Sequence, residues 1–299
     1  MITAILTMVF TWFLLFGRIP RQYLVLLCIT LGALLAYLSR QKHTHFLSTD
    51  VLALSSRLNG VNAALKFWIL FTLMIVSVAS GTGAAGLFLM AAAFVFAVCI
   101  GGLSLRGYVH MMALPVSFLL IGGLALLFEV TPEPSGVLHF NVSVFWICVS
   151  ENTQARTALI VARALGAVSC LTLLSITTPM PEIISVLRRA RCPDLMIDLM
   201  YLIYRYIFIV LSLHHEMYNA AKSRLGFRTD RTSLRTTGKL YANLLARSYQ
   251  FASKNFDAME SRCYSEGIKF LETRKKITYT QAAVSAAMLL ITLYFGLML

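Results

Sequence analysis

Hydrophobic residues occur in long runs along most of the chain, separated by short polar stretches. Because a bilayer-spanning helix needs about 20 mostly apolar residues, each run is predicted to form all or part of a membrane helix. The pattern predicts an all-α polytopic membrane protein, in which turn residues between the third and fourth runs indicate a helical hairpin. The runs are Met1–Gly17, Tyr23–Ser39, Ala63–Ser80, Ala84–Gly102, Met111–Val130, Thr157–Ile176 and Ile277–Leu299.

Composition agrees with this class of protein. Hydrophobic residues make up 58% of the 299 residues and charged residues only 13%, whereas soluble domains are about one quarter charged. A soluble globule, a disordered chain and a disulfide-rich secreted domain are thereby excluded. The six cysteines are scattered, and none forms a CxxC pair. We interpret them as small core residues and not as disulfides or metal ligands.

The chain is basic, with 26 Lys and Arg against 13 Asp and Glu. Nucleic-acid binding would not explain the hydropathy, whereas Lys and Arg are typical of loops on the cytoplasmic side of a membrane. This rule places Lys66, Arg106 and the triplet Arg274–Lys276 inside. The loop 132–154 contains Glu133 and Glu151 but no Lys or Arg, and is predicted to lie outside. The predicted location is therefore the cell (inner, cytoplasmic) membrane, with several passes.

The first two runs fit the rule less well. If both span, Arg18 and Arg21 fall on the external side. Residues 1–39 therefore span once, span twice or lie at the interface, and the sequence leaves these alternatives open. The predicted domains are extra hydrophobic segments at 1–39, membrane core helices at 40–179, a cytoplasmic helical domain at 180–276 and a last span at 277–299.

Residues 180–276 are predicted to lie in the cytoplasm, although Leu195–Leu213 is apolar enough to span. Asp198 and Arg205 would each cost roughly 2.5–3.5 kcal/mol at the centre of a span, and spanning would move the most basic segment outside. Three helices are predicted here, joined by short connections that include a polar turn at 228–238. Their predicted ranges are 182–190, 194–225 and 238–264. The third carries an apolar stripe interpreted as packing against neighbouring helices, formed by Leu245, Tyr249, Ala252, Phe256, Met259 and Cys263.

Motifs for catalysis are missing from the sequence. There is no GxxxxGK[ST], HExxH, GxSxG or spaced Cys/His ligand set, so no enzyme activity, metal site or cofactor is predicted. Arg163 is the clear charge within a span, and such a residue is a functional candidate by default. It either holds a network between helices or snorkels to the interface.

Several short motifs between Thr157 and Phe227 resemble one family of membrane proteins. They include Arg163, the sequence Thr177-Thr178-Pro179 and Arg205 within Tyr-Arg-Tyr. These features resemble the T component of energy-coupling factor (ECF) transporters, the CbiQ/EcfT family, in its cobalt-type branch. The family has two Ala-Arg-Gly-like motifs that end coupling helices. The matching positions here read Ser223-Arg224-Leu225 and Ser261-Arg262-Cys263, which keep both arginines and change both neighbours. The resemblance covers residues 40–299.

The resemblance implies a non-catalytic scaffold in an ABC importer. Such a chain is L-shaped, with about five core transmembrane helices and cytoplasmic coupling helices, and it lies in the lipid bilayer. It joins two cytoplasmic ABC ATPase subunits to a substrate-binding membrane subunit, the S component or its cobalt-type equivalent. Arg224 and Arg262 would each dock into one ATPase, which hydrolyses the ATP. Cobalt is the implied substrate; nickel or a vitamin stays open, because another chain sets specificity.

Three other classes of protein are alternatives to a transporter scaffold. A membrane-embedded enzyme would need a cluster of His, Asp or Glu at one membrane face, and the spans contain none. A channel or secondary carrier would show polar pore-lining residues and internal repeats, and no repeat is visible. A structural anchor for another complex stays open. Copurification of ATPase chains would separate the transporter from these alternatives.

Overall fold

The computed structural model describes most of the chain as long α-helices. The described residues are 2–15, 53–54, 56–131, 138–142, 145–264, 275 and 278–298, with the helical residues Val25, Leu27 and Thr30. The second predicted run, Tyr23–Ser39, lies outside the described residues except for these three. The helices are α1 (Ile2–Leu15), α2 (Ala63–Ala79), α3 (Gly83–Val95), α4 (Leu105–Leu127), α5 (Glu151–Thr177), α6 (Met180–Arg189), α7 (Asp194–Ser223), α8 (Asp230–Glu260) and α9 (Tyr279–Met298).

Five stretches of the described chain are long and apolar enough to cross a membrane, judged by length and composition. The helices α1 and α2 are also apolar but shorter, with 14 and 17 residues. The prediction of an all-α multi-pass membrane protein is thereby confirmed. The five stretches are Gly83–Ile100, Gly107–Leu127, Glu151–Thr177, Asp194–Ser223 and Tyr279–Gly296.

The chain divides into two compact units. The first, called here the membrane unit, consists of Met1–Pro179 together with Arg274–Leu299. The second, called the helix-pair unit, consists of Met180–Thr273 and contains α6, α7 and α8. Each unit is described separately below.

Helix α5 is the centre of the membrane unit and packs against α2, α3 and α4. Small residues allow the closest of these contacts: a Cβ added at Gly86 of α3 would lie 2.2 Å from the carbonyl oxygen of Ala162. A Cβ at Gly166 would likewise lie 2.7 Å from the Cα of Gly86. The hydroxyl of Ser77 on α2 donates to the carbonyl oxygen of Arg163 at 3.0 Å. Close backbone approach through small residues is typical of packed membrane helices.

The N-terminal helix α1 is part of this packing. Phe10 is buried in a cluster with Leu120 and Leu127 of α4 and Val161 of α5. At the end of α1, the amide of Gln154 donates to the carbonyl oxygen of Phe13 at 3.2 Å. The hydrophobic residues 2–15, which fall outside the family resemblance, therefore cover one side of the core.

A small antiparallel sheet lies between α4 and α5, where the sequence predicted only a loop. Its strands are β1 (Glu129–Thr131), β2 (Leu138–Val142) and β3 (Phe145–Val149), in the order β1-β3-β2. Alternation of apolar and polar residues over only three to five positions is too short to distinguish a strand from the end of an apolar span. The prediction for residues 129–149 was wrong in this respect.

Two helix starts also differ from the predictions. Helix α4 begins at Leu105, six residues early, because the hydroxyl of Ser104 accepts from the backbone N–H of Gly107 at 3.2 Å. Helix α8 begins at Asp230, and the predicted polar turn at 228–238 is wrong. Thr229 caps α8 in a reciprocal pair with Thr232, which satisfies N–H groups that have no partner within the helix.

The helix-pair unit has a small core. The two long helices, α7 with 30 residues and α8 with 31, bury few of their side chains. Asp194 lies in the first turn of α7 after Pro193, where a carboxylate interacts favourably with the helix dipole. Among the described residues of this unit, the buried ones are Ile184, Val186, Ile197, Asp198, Leu213, Leu240 and Leu244.

Candidate coupling site

The two arginine motifs of the sequence end α7 and α8 in the same way. After α7, the N–H of Leu225 donates to Lys222 O at 3.0 Å and the N–H of Gly226 to Ala221 O at 2.9 Å. After α8, the N–H of Cys263 donates to Glu260 O at 2.9 Å and that of Tyr264 to Met259 O at 3.0 Å. These paired bonds, three and five residues back, form the Schellman cap of a helix C-terminus.

The third position of each motif has a left-handed backbone. The φ angle is 58° at Leu225 and 55° at Cys263. Glycine is the usual residue in this conformation because a Cβ there costs roughly 1–2 kcal/mol. The departure from the Ala-Arg-Gly pattern therefore changes the side chain but keeps the backbone turn that places each arginine. The sequence does not show that the two motifs share this turn, because neither Leu nor Cys is a residue type that indicates a positive φ angle.

Both arginines are exposed at these turns, as are the preceding Ser223 and Ser261. Neither guanidinium forms an ion pair with any residue in the described part of the chain. The 31 residues of α8 rise about 46 Å along the helix axis. Arg224 precedes this helix and Arg262 follows it, so the two cations lie at opposite ends of α8.

Contacts between α7 and α8 fix the turn beside Arg224. The hydroxyl of Thr236 donates to the carbonyl oxygen of Gly226 at 2.9 Å. The rings of Tyr218 and Phe227 lie 4.9 Å apart, and His214 stacks on Tyr241 at 5.8 Å. His214 is thus engaged in ring packing, and the described residues contain no group of three metal-ligating side chains.

A buried carboxylate fixes the turn beside Arg262. The hydroxyl of Tyr264 donates to Asp198 at 2.5 Å, and Nη2 of Arg188 lies 4.0 Å from the same carboxylate. The Arg188 guanidinium also lies 5.9 Å from the centre of the Tyr201 ring. The hydrogen bond to Asp198 raises the pKa of Tyr264 above its ordinary value. In the sequence, Asp198 indicates only an obstacle to spanning. Its contact with Tyr264 joins residues 66 positions apart, and no local pattern predicts it.

The apolar stripe of α8 is largely exposed at three of its positions. Leu245 is 73% exposed, Tyr249 75% and Phe256 67%. The described residues therefore do not supply the neighbouring helices against which the stripe was predicted to pack at these positions. Side chains of this size exposed in a row mark a surface for another molecule.

The Thr177-Thr178-Pro179 motif is buried at the end of α5. Both threonines are 1% exposed. Lys66, at the start of α2, donates from Nζ to the carbonyl oxygen of Thr177 at 2.8 Å and to that of Leu58 at 3.1 Å. The last carbonyl groups of a helix lack partners and carry partial negative charge, so a buried ammonium is stabilised there. Sequence analysis used Lys66 only to orient the chain and missed this role.

The remaining candidate residues are separate from these sites. Arg163 is half-buried on α5, and its Nε has no hydrogen-bond partner among the described residues. Arg205 is exposed on α7. Cys148 and Cys170 are buried as expected of core residues, whereas Cys99 and Cys263 are exposed.

Comparison with known proteins places this architecture in a family. The cobalt transport protein CbiQ family matches residues 54–274. A putative fused cobalt transport protein CbiMQ from Methanocorpusculum labreanum is 29% identical over 83% of this chain and 41% of its own length, so this chain spans less than half of that relative. An uncharacterised protein from Methanocaldococcus jannaschii is 30% identical over 75% of this chain and 83% of its own length.

A third relative, the cobalt transport protein CbiQ of Rhodobacter capsulatus, is 30% identical over 61% of this chain and 73% of its own length. The family match covers most of the chain, including both arginine motifs and the buried threonine junction. Together with the five helices that can cross a membrane, it shows that this chain belongs to the cobalt transport protein CbiQ family of multi-pass membrane proteins.

Proposed function

We propose that this chain is the membrane scaffold of an ATP-driven cobalt importer of the ECF type. The observation that carries the proposal is the pair of equivalent helix ends at Arg224 and Arg262. One asymmetric chain thereby presents the same exposed cation on the same turn twice. Two copies of one ATPase subunit, or two closely similar subunits, are the partners that such a repeated surface fits.

The orientation of the helix-pair unit follows from charge. Helix α7 has the length and composition of a span, but spanning would put Arg224 and the basic segment after it on the external side. The burial of Asp198 between Tyr264 and Arg188 gives this acidic residue partners that need no membrane crossing. We therefore place residues 180–276 in the cytoplasm, where ATPases are found.

Arginine suits contacts of this kind. Its planar guanidinium stays charged and can hold a carboxylate or backbone carbonyls with two parallel hydrogen bonds. The exposed apolar residues Leu245, Tyr249 and Phe256 on α8 would add buried contact area beside the arginines. Movement of the ATPases would then be transmitted through α7 and α8 to a substrate-binding membrane subunit.

Two findings from relatives support cobalt and a second membrane component. Named relatives are cobalt transport proteins, and one is called a fused CbiMQ protein that extends well beyond the part matched here. We infer that the importer includes a membrane component equivalent to that additional part. Nickel is the alternative cargo, and uptake of both ions into cells distinguishes them.

The proposal is tested by removing both arginines. In the variant Arg224→Ala/Arg262→Ala, we expect loss of ATPase copurification in detergent and loss of cobalt uptake. Interface arginines are often hot spots whose truncation costs about 2 kcal/mol or more. The matched control is Arg231→Ala/Arg247→Ala, which removes the same charge from exposed positions of α8. If the first variant retains both ATPases and takes up cobalt normally, the arginines have no part in coupling.

A further inference from the structure

The helices of the membrane unit end at two different levels on the side that the charge rule places outside. The α2–α3 hairpin ends beside the middle of α5, where a Cβ added at Gly83 would lie 3.1 Å from the Cβ of Ala162. Helices α1 and α4 end farther along α5. There the amide of Gln154 donates to Phe13 O, and the ring centres of Phe13 and Phe128 lie 5.4 Å apart. Because Ala162 and Gln154 are eight positions apart, the two levels differ by about 12 Å along α5.

Helix α9 ends at the lower of these two levels. The hydroxyl of Thr82 donates to the carbonyl oxygen of Phe295 at 2.9 Å, close to the last residue of α9, Met298. A Cβ added at Gly296 would lie 3.4 Å from the Cβ of Ser80. We call the ends of α2, α3 and α9 the low side of the membrane unit. Helix α5 rises above the low side and forms a step on the outer surface of this unit.

The helices of the low side are short for a membrane. Helix α2 has 17 residues, and the stretch Gly83–Ile100 that begins with α3 has 18. These lengths correspond to about 26 and 27 Å, whereas the hydrocarbon core of a bilayer is about 30 Å thick. A bilayer adapts to a short span by becoming thinner beside it. Lipid headgroups are therefore expected to lie deeper on the low side than on the side of α1 and α4.

Arg163 lies at the foot of the step. The hydroxyl of Ser77, near the end of α2, donates to the carbonyl oxygen of Arg163 at 3.0 Å, and a Cβ at Gly86 would lie 2.9 Å from its Cα. The guanidinium forms no ion pair with a described residue, and its buried Nε donates no hydrogen bond among them. The described helices of this unit contain a single acidic residue, Glu151, in the first turn of α5. Since an unpaired charge at membrane depth is costly, an anion from another molecule is expected at Arg163.

The face of α5 above Arg163 is polar. Asn152, Arg156 and Arg163 follow one another at intervals of four and seven residues, which places them on one face of the helix. Asn152 and Arg156 are exposed. Acyl chains would leave these groups without hydrogen-bond partners, whereas headgroups and their water supply such partners. The step therefore suits lipid headgroups and not acyl chains.

A phospholipid phosphate meets both requirements. It carries a negative charge in every phospholipid, and the planar guanidinium of arginine binds phosphate with two parallel hydrogen bonds. An acidic segment of another protein could supply the same charge. The lipid is favoured because the short helices of the low side bring headgroups to the depth of Arg163 without any further partner.

We propose that Arg163 binds the phosphate of an outer-leaflet phospholipid whose headgroup lies in the step above the low side. The phosphate neutralises the guanidinium, and the bound headgroup covers the ends of α2, α3 and α9. The bilayer is thereby held thinner on this side of the protein. The proposal does not involve the ATPase contacts, so it can fail while the proposed function stands.

The first test compares two lipids with identical acyl chains on the full chain, purified in detergent and stripped of lipid. Phosphatidylcholine carries a phosphate, whereas monogalactosyl diacylglycerol carries an uncharged sugar. Native mass spectrometry measures the binding of each lipid. We expect phosphatidylcholine to bind at least about tenfold more tightly, the factor that corresponds to one hydrogen bond to a charged group. Equal binding of the two lipids would overturn the proposal.

Arg156 provides a matched control for Arg163. It is the same residue type on the same face of α5, but it is exposed and lies seven positions nearer the outer end. We expect Arg163→Gln to abolish the preference for phosphatidylcholine and Arg156→Gln to retain it. Equal losses in both variants would show that positive charge in general, and not the site at the foot of the step, attracts the phosphate. Copurification of the ATPases should be the same in both variants.

Bilayer thickness provides a second readout. In phosphatidylcholine bilayers of increasing acyl length, the unmodified chain should resist heat best in the shorter lipids. Arg163→Leu should move this optimum to longer lipids, because the deep phosphate is no longer needed. An optimum that stays at the same acyl length in Arg163→Leu would contradict the proposal.

A measurement on the unmodified chain covers the case in which the Arg163 variants do not fold. A phospholipid with a photoactivatable group in its headgroup should crosslink to peptides that contain residues 77–86 or 152–163. Crosslinks confined to other parts of the chain would overturn the proposal. Protection of these peptides by a copurified protein would identify an acidic partner segment as the occupant and would overturn it as well.

Discussion

The membrane unit and the helix-pair unit are both helical, yet they are stabilised differently. In the membrane unit, α5 is enclosed by α2, α3 and α4, with glycine contacts and buried polar groups bonded to carbonyl oxygens. In the helix-pair unit, two helices of 30 and 31 residues bury only a few side chains and end in matched caps. The membrane unit packs its helices around one central helix, whereas the helix-pair unit has no such centre and exposes apolar and cationic side chains along its two long helices.

The difference in packing agrees with the residues found in each unit: small and hydrogen-bonded polar residues at the helix contacts of the membrane unit, and large exposed apolar residues on α8. Within a membrane, burial of apolar groups gives little driving force between helices, so close contact and hydrogen bonds must provide it. Large apolar side chains exposed in a row, such as Tyr249 and Phe256 on α8, are typical of a surface that contacts another molecule. Six substitutions, grouped in four predictions, test this comparison in order of decreasing expected effect.

The largest effect is expected from Gly86→Val. A Cβ at this position would lie 2.2 Å from Ala162 O, so α3 must move away from α5. Overpacking of a core costs typically 1–3 kcal/mol and occasionally more, and we expect about 3 kcal/mol here because the clash is with backbone. The yield of folded protein and its melting temperature in detergent provide the measurement. The control is Gly122→Val, since a Cβ there meets nothing within 4 Å; equal losses in both variants would refute close packing at Gly86.

A smaller loss is expected from Lys66→Met. This change keeps the length of the side chain but removes the donors to Thr177 O and Leu58 O. Hydrogen bonds to charged groups contribute about 1.5–3 kcal/mol, and we expect about 2 kcal/mol of destabilisation. Thermal unfolding in detergent measures it, with Lys239→Met on the exposed face of α8 as control. An unchanged melting temperature for Lys66→Met would show that the ammonium does not stabilise the junction.

In the helix-pair unit, Asp198→Asn and Tyr264→Phe should be coupled. The two side chains share a hydrogen bond of 2.5 Å. Because each single substitution already breaks this bond, each should lower the free energy of unfolding by most of the amount that the double substitution does. We expect a coupling free energy of about 1 kcal/mol in a double-mutant cycle. Under the proposed function, both variants should also weaken copurification of the ATPase that contacts Arg262 more than of the ATPase that contacts Arg224. Strictly additive effects would mean that the hydrogen bond does not position the turn.

The smallest effects are gains in stability. Leu225→Gly and Cys263→Gly should each stabilise the helix-pair unit by about 1 kcal/mol, because glycine adopts φ angles near +58° and +55° without strain. Thermal unfolding measures this difference. Ser223→Gly is the control and should destabilise by about 1 kcal/mol, since Ser223 is the last helical residue of α7. If Leu225→Gly instead lowers the stability, contacts of the Leu225 side chain stabilise the unit by more than the strain of its positive φ angle destabilises it.

Part of the site could be found from the sequence. The positions of Arg224 and Arg262 follow from short motifs, and the end of α7 near Gly226 follows from ordinary helix-stop signals. The start of α8 was missed because Gly238 resembles a helix breaker, although it lies exposed within the helix. The pair Thr229 and Thr232 was the available signal, but a capping box is usually recognised by Glu or Gln at its last position.

The sequence by itself determined the membrane class, the apolar runs and the positions of both arginines. These properties are local, because hydropathy and helix ends depend on residues within a few turns. Only the tertiary structure decided that Lys66 meets Thr177, 111 positions away, and that Asp198 meets Tyr264. It also decided that Gly86 touches Gly166 and that Leu225 and Cys263 share one backbone turn. Such contacts depend on how helices that are distant in the chain are arranged in space, and the residues next to each contact in the sequence do not predict that arrangement.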